Sequence, residues 1–197
     1  AFEYIYQCQA SKNPIVILFA KAFDTIDHEA MLDIMKHMGF NDKWLGWIKT
    51  IFSSTKSSVL LNGVPGRQFN CVCGVRQGDP LSPLIFVLAA DLLQAAINDS
   101  FRRNDLKLPF HRPNQSDYPV IQYADDTPAC PGQASLVKTI LTDYATSIGL
   151  KINFHKSTLV PMNCDASIAQ NIAQIFGCMA RKLPFNYLGL PMGTSKP

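Results

Sequence analysis

Apolar residues along the chain occur in two patterns, as a continuous run and at the spacing of an amphipathic helix. The unbroken apolar run over residues 14–20 (PIVILFA) predicts a strand that is buried on both faces. Elsewhere apolar residues recur every three or four positions, which predicts amphipathic helices. Capping residues before these helices and glycines after them mark their ends. The four helices predicted in this way are 28–38 between Asp27 and Gly39, 44–52 after Asn41 or Asp42, 134–148 before Gly149, and 166–176 between Asp165 and Gly177.

Turn signals and short apolar runs fill the remaining chain. Residues 57–73 predict a β-hairpin that turns at Asn62-Gly63. Ser82 and Pro83 predict the start of a helix that runs to about residue 98, and the apolar residues on all its sides predict a central position. Residues 102–119 are polar and hold three prolines, which predicts a loop. Further extended segments are expected at 120–124, 150–154, 158–161 and 185–190.

Strands and helices alternate irregularly in this order, with hairpins among them. The pattern favours an α+β fold with a mixed or antiparallel sheet packed on helices over a doubly wound parallel sheet. The chain has 197 residues, of which 47% are apolar and 17% charged, so we expect a folded chain with a sizeable core. Its longest apolar stretch, residues 84–90, ends at Asp91, which argues against a membrane-spanning helix.

Charge and cysteine content restrict the function only weakly. The net charge is +3, and residues 101–197 hold the basic excess, a balance that permits nucleic-acid binding without arguing for it. The six cysteines are scattered, so we expect free thiols in a reducing compartment. The first residues lack the pattern of a secretory leader. We therefore expect an intracellular protein, nuclear or cytoplasmic, that is not secreted.

Two adjacent carboxylates, Asp125 and Asp126, follow the strand predicted at 120–124. Like charges held this close repel each other unless a cation lies beside them. Carboxylate oxygens are suitable ligands for a divalent cation, and two such ions can hold the attacking and leaving oxygens of a phosphoryl transfer. The alternative is a solvated turn, because Asp is a common turn residue.

Two further segments combine backbone features with polar side chains. Residues 74–83 (GVRQGDPLSP) place two glycines and two prolines before a helix, and such a loop can approach an anionic ligand closely. An ordinary turn and cap is the alternative there. Residues 19–28 (FAKAFDTIDH) follow the predicted buried strand, whose end is a favoured position for a site. Within them, Asp27 is expected to cap the next helix and His28 to lie on the surface of its first turn.

Taken in order, these segments resemble the reverse transcriptases of LINE-type (non-LTR) retrotransposons, in a plant-like form. Residues 19–29 (FAKAFDTIDHE) are similar to the first palm motif of that family, residues 74–86 (GVRQGDPLSPLIF) to the second and residues 122–127 (QYADDT) to the third. Residues 149–157 (GLKINFHKS) are similar to the fourth motif, and residues 186–193 (NYLGLPMG) to the fifth, which grips the primer. Five motifs in the family order are far more specific than any one of them.

The resemblance implies a right-hand polymerase palm with partial fingers over residues 1–197. Residues of about 24–119 would form a fingers and palm insert, and about 120–197 the palm and the start of the thumb. The implied activity is that of an RNA-directed DNA polymerase, a template-directed nucleotidyl transfer that uses two Mg²⁺ ions, an RNA template, a DNA primer and dNTPs. By their positions in the motifs, Asp125 and Asp126 would be catalytic and would bind the metal ions, and Phe23 would exclude a ribose 2′-hydroxyl. Arg76, Gln77 and Gly78 would contact the nucleotide and the template, and Lys156 would protonate the leaving pyrophosphate. Tyr187, Leu188 and Gly189 would contact the primer.

The chain departs from the family pattern in the first motif. Leu18 stands where the family has the aspartate that bridges the two ions, either by substitution or through a small deletion nearby. Leucine offers no ligand atom, so two ions about 4 Å apart would be poorly held. Asp24 lies six residues further on, too far along the chain to take over that position. We therefore expect an inactive enzyme, and the alternative is a remnant that binds nucleic acid without catalysis.

Two other departures concern the third motif and the extent of the chain. Pro128 follows the paired aspartates and has no N–H to donate, so it is expected to weaken the hairpin that carries Asp125. The 197 residues contain neither the family's upstream fingers segment nor its endonuclease or full thumb. A truncated polymerase core is therefore expected.

Overall fold

The computed structural model describes residues 15–19, 25–76, 78–107, 126–187 and 190–192. The chain divides into two compact units, each discontinuous in sequence. The first, here called the sheet unit, comprises Ala1–Ala22, Ala90–Tyr144 and Ile152–Pro197. The second, here called the helix–hairpin unit, comprises Phe23–Ala89 and Ala145–Lys151.

Helices and strands are interspersed along the described chain, which confirms the α+β class. The helices are α1 (His28–His37), α2 (Asp42–Ser54), α3 (Ser82–Arg102), α4 (Ala134–Ser147) and α5 (Ala166–Phe176), with 3₁₀ turns at Pro131–Gln133 and Phe154–Lys156. The strands are β1 (Ile15–Phe19), β2 (Lys56–Ser57), β3 (Leu60–Leu61), β4 (Val64–Pro65), β5 (Phe69–Asn70), β6 (Asp126–Ala129), β7 (Thr158–Met162), β8 (Met179–Ala180), β9 (Phe185–Tyr187) and β10 (Leu190–Met192).

The main sheet lies in the sheet unit and has four described strands in the order β6-β1-β7-β8. Strand β1 runs antiparallel to both of its neighbours, whereas β7 and β8 are parallel. The sheet is therefore mixed, as predicted. Strand β1 has a ladder partner on each side, which agrees with the continuous apolar run of residues 14–20.

The core of the sheet unit lies around β7 and α5. Leu159 and Val160 of β7 are completely buried, and Phe176 at the end of α5 is almost completely buried. The Phe176 ring lies 6.0 Å from the ring of Phe154, between centroids. Helix α5 ends at Gly177, whose φ of 72° is left-handed, as the glycine after the apolar periodicity predicted.

Side-chain caps begin the first two helices of the helix–hairpin unit. Oδ1 of Asp27 accepts a hydrogen bond from the backbone N–H of Ala30 at 2.9 Å, which confirms Asp27 as the cap of α1. Oδ1 of Asn41 accepts one from the N–H of Trp44, also at 2.9 Å. Asn41, and not Asp42, is therefore the cap of α2. Helices α1 and α2 pack together, and their buried residues are Met31, Leu32, Met35, Ile48 and Phe52.

The predicted hairpin is present, and its turn is at the predicted residues. Strands β3 and β4 pair around Asn62 and Gly63, whose φ angles of 51° and 81° are both positive, as a type I′ turn requires. Strands β2 and β5 pair at the base of the same arm. Every residue from 59 to 70 is exposed, so the arm projects from its unit.

The position of α3 corrects the expectation that this helix is buried on all sides. One stripe is buried, formed by Ile85, Ala89, Leu93 and Ile97 at a spacing of four residues, whereas Leu84 is 61% exposed. Apolar composition alone did not reveal this one-sided packing. By length and composition α3 is apolar enough to cross a membrane, a criterion that a core helix of a globular protein also meets.

Three other segments differ from their predicted form or lie outside the described residues. Residues 154–156 form a 3₁₀ turn, where an extended segment over 150–154 was expected, because the N–H of Ser157 bonds back to the carbonyl of Phe154 at 3.0 Å. The last predicted strand is a pair, β9 and β10, joined through residues 188–189, which are not described. The predicted strand at 120–124 and most of the predicted loop at 102–119 also lie outside the described residues.

Pro128 does not prevent strand formation in β6. It pairs in register with Ile17 of β1. Among the described strands β6 has a single neighbour, and proline is tolerated at such an edge because no second ladder needs its missing N–H. The expected weakening of the hairpin that carries Asp125 stays a prediction, since its other strand is not described.

Candidate functional site

Segments of three sequence motifs meet at the end of β1. In the ladder between β1 and β6, Phe19 pairs with Asp126 and Leu18 with Thr127. On the other side of β1, Phe19 pairs with Thr158 of β7. The structure therefore brings Phe19, the first residue of the first motif, beside Asp126 of the third motif and beside Thr158, the residue that follows the fourth motif.

Position 18 lies one step along the ladder from Asp126. A residue rises about 3.3 Å along a strand and neighbouring strands lie about 4.8 Å apart, so the two backbones are roughly 6 Å apart at these positions. Leucine at position 18 has no side-chain oxygen that could bind a cation.

The 3₁₀ turn Phe154–Lys156 approaches the same end of the sheet. Its last residue, Lys156, lies two residues before Thr158, the register partner of Phe19. The backbone of the proposed proton donor is thus close to the junction of β1 and β6. Tyr187 lies in β9, where it pairs with Leu190 of β10.

Five of the predicted site residues lie outside the described part of the chain. Their positions relative to the sheet therefore stay predictions, and the register constrains only the residues beside them. They are Phe23, Gln77, Asp125, Leu188 and Gly189.

The loop of the second motif is described on both sides of residue 77 and lies in the helix–hairpin unit. Gly74 has a φ of 77° and Gly78 a φ of 87°, two left-handed positions that favour glycine. Nη2 of Arg76 donates to the carbonyl oxygen of Lys56 at 3.1 Å, so this guanidinium is directed to the base of the hairpin. The exposed Arg76 retains further N–H donors for an anionic ligand.

Residues 25–27, which continue the first motif, contact the beginnings of two other motif segments. Oγ1 of Thr25 accepts a hydrogen bond from the N–H of Lys151 at 3.0 Å, and the N–H of Asp27 donates to Ile148 at 2.9 Å. The carbonyl of Ile26 accepts from the N–H of Gly74 at 2.8 Å. These bonds tie the first motif to the second and the fourth within one unit.

His28 is a residue of this region whose role sequence reasoning missed. We expected a surface residue in the first turn of α1, but His28 is half-buried, and its Nε2 lies 2.8 Å from the carbonyl oxygen of Gly74. Its ring also stacks on Phe52, with 4.1 Å between centroids and 9° between planes. The partner Gly74 is 46 residues away, so no local periodicity signals the contact.

Among the described residues, no group of three or more His, Cys, Asp or Glu side chains converges as a metal site. Asp125 lies outside that part of the chain. The residue at position 18, one step along the ladder from the pair Phe19–Asp126, is leucine.

Comparison with known proteins gives a match over nearly the whole chain. The family model described as reverse transcriptase (RNA-dependent DNA polymerase) matches residues 6–192. A "Retrovirus-related Pol polyprotein from type-1 retrotransposable element R2" of Popillia japonica is 25% identical over 177 residues, which are 88% of this chain and 23% of that protein.

Two further relatives come from other animals. A "Retrovirus-related Pol polyprotein from type-2 retrotransposable element R2DM" of Drosophila melanogaster is 31% identical over 74 residues, 38% of this chain and 7% of the relative. The "Transposon TX1 uncharacterized 149 kDa protein" of Xenopus laevis is 28% identical over 148 residues, 70% of this chain and 10% of the relative. The chain thus spans less than a quarter of the length of each of these curated relatives.

Proposed function

Because this chain belongs to the reverse transcriptase family, with relatives in non-LTR retrotransposons, we propose that it is the palm, with partial fingers, of an RNA-directed DNA polymerase. Residues of about 24–119 would be the fingers and palm insert, and about 120–197 the palm and the start of the thumb. The substrates in this proposal are an RNA template, a DNA primer and dNTPs.

One observation carries the proposal, namely the register of β1 between β6 and β7. It puts Phe19 of the first motif between Asp126 of the third motif and Thr158, the residue that follows the fourth, so that segments far apart in sequence meet at one end of a sheet. Nucleotidyl transfer needs carboxylates and a basic group around one reacting phosphate, and a rigid sheet end can hold them in place.

The remaining motif residues complete the proposed site from positions beside this sheet end or on loops. Phe23 excludes the ribose 2′-hydroxyl, and Arg76, Gln77 and Gly78 hold nucleotide and template. Lys156 gives its proton to the leaving pyrophosphate, which lowers the charge of that group as it departs. The turn at Tyr187, Leu188 and Gly189 holds the primer.

We further propose that the present chain has lost its catalytic activity at position 18. Members of the family use Mg²⁺, which stabilises the charge of the transferring phosphate when it is bound. In this chain Leu18 has no oxygen to offer, so Asp125 and Asp126 are left with a repulsion that fewer protein ligands offset. The residues present do not fit a pair of such ions.

Primer extension tests both parts of the proposal. The chain is incubated with a primed RNA template, dNTPs and Mg²⁺, beside Leu18→Asp and the double variant Leu18→Asp/Asp125→Ala. We expect no extension by the parent, synthesis by Leu18→Asp, and none by the double variant. Extension by the parent that Asp125→Ala abolishes would overturn the inactivity. Failure of every variant would count against Leu18 as the sufficient cause.

A second candidate function is a remnant that binds nucleic acid without catalysis. Residues 43–78 contain no acidic residue, and all their basic side chains are exposed. Those side chains are Lys43, Lys49, Lys56, Arg67 and Arg76. Lys49 is paired with Glu29 at 3.5 Å, and the other four exposed charges attract phosphates whatever the state of the catalytic centre.

Fluorescence anisotropy with a labelled primed template measures this binding as the salt concentration is raised. For the remnant we expect affinity to fall steeply between 50 and 200 mM salt, and Arg67→Ala to lower the slope of log K against log salt by about 1. Lys182→Ala, an exposed lysine of the other unit, is the matched control. A slope that Arg67→Ala leaves unchanged would exclude this arm from the binding surface.

We also propose an intracellular location, nuclear or cytoplasmic. No disulfide links the described cysteines, as a reducing compartment favours; they are Cys71, Cys73, Cys130, Cys164 and Cys178. Microscopy of the tagged chain tests this location.

A further inference from the structure

We propose that His28 is a positioning residue, which holds the loop of the second motif in place through Gly74. The inference rests on the proposed function in one respect, the assignment of Arg76, Gln77 and Gly78 to nucleotide and template. It adds a residue outside the motif's own segment, on helix α1, to the apparatus that holds the substrate.

The hydrogen bond shows which ring nitrogen of His28 is the donor. A carbonyl oxygen only accepts, so the Nε2 that lies 2.8 Å from the Gly74 oxygen carries the proton. In the neutral ring Nδ1 is then the nitrogen without hydrogen. The bond is made by a half-buried side chain, where less water competes for the donor than on an open surface.

Phe52 determines the plane in which this donor lies. Its ring and that of His28 are 4.1 Å apart between centroids and inclined by 9°, so they lie face to face. Phe52 belongs to α2 and is itself buried. The imidazole is therefore held between a helix on one side and the loop carbonyl at its edge, and it has little freedom to turn Nε2 away from Gly74.

Gly74 is held at both of its backbone polar groups. Its N–H donates to Ile26 at 2.8 Å, and its carbonyl accepts from His28. Ile26 is completely buried, so this anchor is part of the core. The preceding residue, Cys73, also forms a β-bridge with Asp27. The loop thus leaves the core at a defined point.

Asp79 organises the other end of the loop. Its Oδ1 accepts from the N–H of Leu81 at 2.9 Å, and its carbonyl accepts from the N–H of Ser82 at 3.1 Å. A small cavity of about 20 Å³ is lined by residues of this loop, of α2 and of the start of α3, and it has room for about one water molecule. The described loop residues Arg76 and Gly78 therefore lie between two anchored residues, Gly74 and Asp79, and His28 supplies one of the bonds to Gly74.

The consequence for a substrate follows from geometry. A group that contacts a nucleotide must be held to a fraction of an ångström, because a shift of about 1 Å can reduce a rate about a hundredfold. Loss of the His28 bond frees the carbonyl of Gly74 two residues before Arg76. We therefore expect the loop to sample more conformations and to bind nucleotide less well.

Hydrogen exchange measured by mass spectrometry tests the positioning role without any need for catalysis. His28→Phe keeps an aromatic ring for Phe52 but removes the donor, whereas His28→Gln keeps an N–H donor and removes the ring. We expect amides of residues 74–79 to exchange roughly 3–10-fold faster in His28→Phe, as the loss of one hydrogen bond implies, and to stay within about twofold of the parent in His28→Gln.

The control is His37→Phe on the same helix, since His37 is exposed and bonds only locally, to the carbonyl of Asp33 at 2.8 Å. Amides of the buried residues Met31 and Met35 in α1 and Ile48 in α2, which belong to the same unit, report whether a variant is still folded. Equal exchange in His28→Phe and the parent, or faster exchange in His28→Gln alone, would overturn the proposal. If His28→Phe does not fold, His28→Gln decides: parent-like exchange at 74–79 supports the bond, and fast exchange refutes it.

A second measurement connects the loop with the proposed function. In the Leu18→Asp background we expect His28→Phe to raise KM for dNTP about tenfold with a smaller change in kcat, and His28→Gln to restore KM. If Leu18→Asp synthesises no DNA, the proposed polymerase function fails while hydrogen exchange still decides the role of His28. If Leu18→Asp synthesises DNA and its KM for dNTP is unchanged by His28→Phe and by His28→Gln, only the positioning role of His28 fails.

Discussion

Leu18 and Thr127 are direct register partners across β1 and β6, and the next pair along the ladder is Phe19 with Asp126. Under the proposed function, a carboxylate introduced at position 18 restores the ligand that the family has there. We expect Leu18→Asp to bind Mn²⁺ at least tenfold more tightly than the parent, because one more carboxylate compensates the charge of the bound ions.

Isothermal titration with Mn²⁺ measures this gain, and Leu18→Asn is the matched control because it has the same shape without the charge. Without metal, Leu18→Asp is expected to melt at a lower temperature than the parent, since a charge in a central strand is costly to desolvate. Saturating Mn²⁺ should recover part of that loss by mass action. Equal affinity in the Asp and Asn variants would contradict a metal site at this position.

Gly149 cannot carry a side chain for two separate reasons. Its φ of 68° is left-handed, and a Cβ there would lie 2.5 Å from the Cβ of Asp27. We expect Gly149→Ala to lower the free energy of unfolding by about 2–4 kcal/mol, as the sum of backbone strain and overpacking. Urea titration followed by circular dichroism measures the loss.

Gly177 provides the control, since its φ of 72° is nearly the same and a Cβ there meets nothing within 4 Å. Gly177→Ala should lose only the strain, about 1–2 kcal/mol. The difference between the two variants then measures the close approach to Asp27. Equal losses would mean that the segment around Gly149 can move away.

Asn41 and Asp165, the capping residues of α2 and α5, allow a cap with a side-chain hydrogen bond to be compared with a cap that has none. Asn41 accepts a hydrogen bond from Trp44, whereas the side chain of Asp165 makes no capping bond to α5. We expect Asn41→Ala to lower the free energy of unfolding by about 1 kcal/mol, and Asp165→Ala by less than half of that, through the helix dipole alone. Thermal melts of the two variants beside the parent provide the comparison.

Burial raises the pKa of the Cys130 and Cys178 thiols above their ordinary value of 9.0. The charge of nearby Lys107 partly opposes the rise in the pKa of Cys130, and a backbone hydrogen bond with Leu159 partly opposes the rise in the pKa of Cys178. The thiolate is the reactive form, so at pH 8 we expect both to be alkylated by iodoacetamide more slowly than the exposed Cys73. Peptide mass spectrometry at timed intervals measures the three rates. Faster labelling of Cys130 than of Cys73 would contradict the direction of its shift.

The same two thiols predict the direction of an alkaline effect on stability. Their pKa is higher in the folded chain than in the unfolded one, so the unfolded chain loses these protons first as pH rises. Their contribution to stability is complete below about pH 9 and is lost as pH rises through the folded-state pKa. A double Cys130→Ala/Cys178→Ala variant should show a smaller decline in melting temperature between pH 8.5 and 10.5 than the parent.

Local signals in the sequence predicted most helix ends and one turn correctly. Asp27, Asn41 and Gly177 act through bonds that span three or four residues, and Asn62-Gly63 has its own turn geometry, so each could be recognised from its neighbours alone. The apolar run of residues 14–20 likewise predicted the strand that the structure has at Ile15–Phe19.

Contacts between distant segments could not be predicted in this way. The bond from His28 to Gly74 spans 46 residues, and no spacing within α1 distinguishes a histidine with such a partner from an exposed one. The one-sided burial of α3 depends on which neighbours cover it, which its uniformly apolar composition conceals. The motif order anticipated that residues 19 and 126 meet, whereas the ladder register itself comes from the structure.

The hydrogen bond from Lys151 to Thr25 has a consequence for how the chain is made. It joins residues 126 positions apart, and Ala145–Lys151 belong to the same unit as Phe23–Ala89. A ribosome must therefore synthesise the whole intervening stretch Ala90–Tyr144, which takes on the order of seconds, before the unit that starts at Phe23 can close. During that interval helices α1 and α2 lack the contacts that Ala145–Lys151 supply. The rate of translation, and not the folding rate of these helices, then sets when their unit can complete its folding.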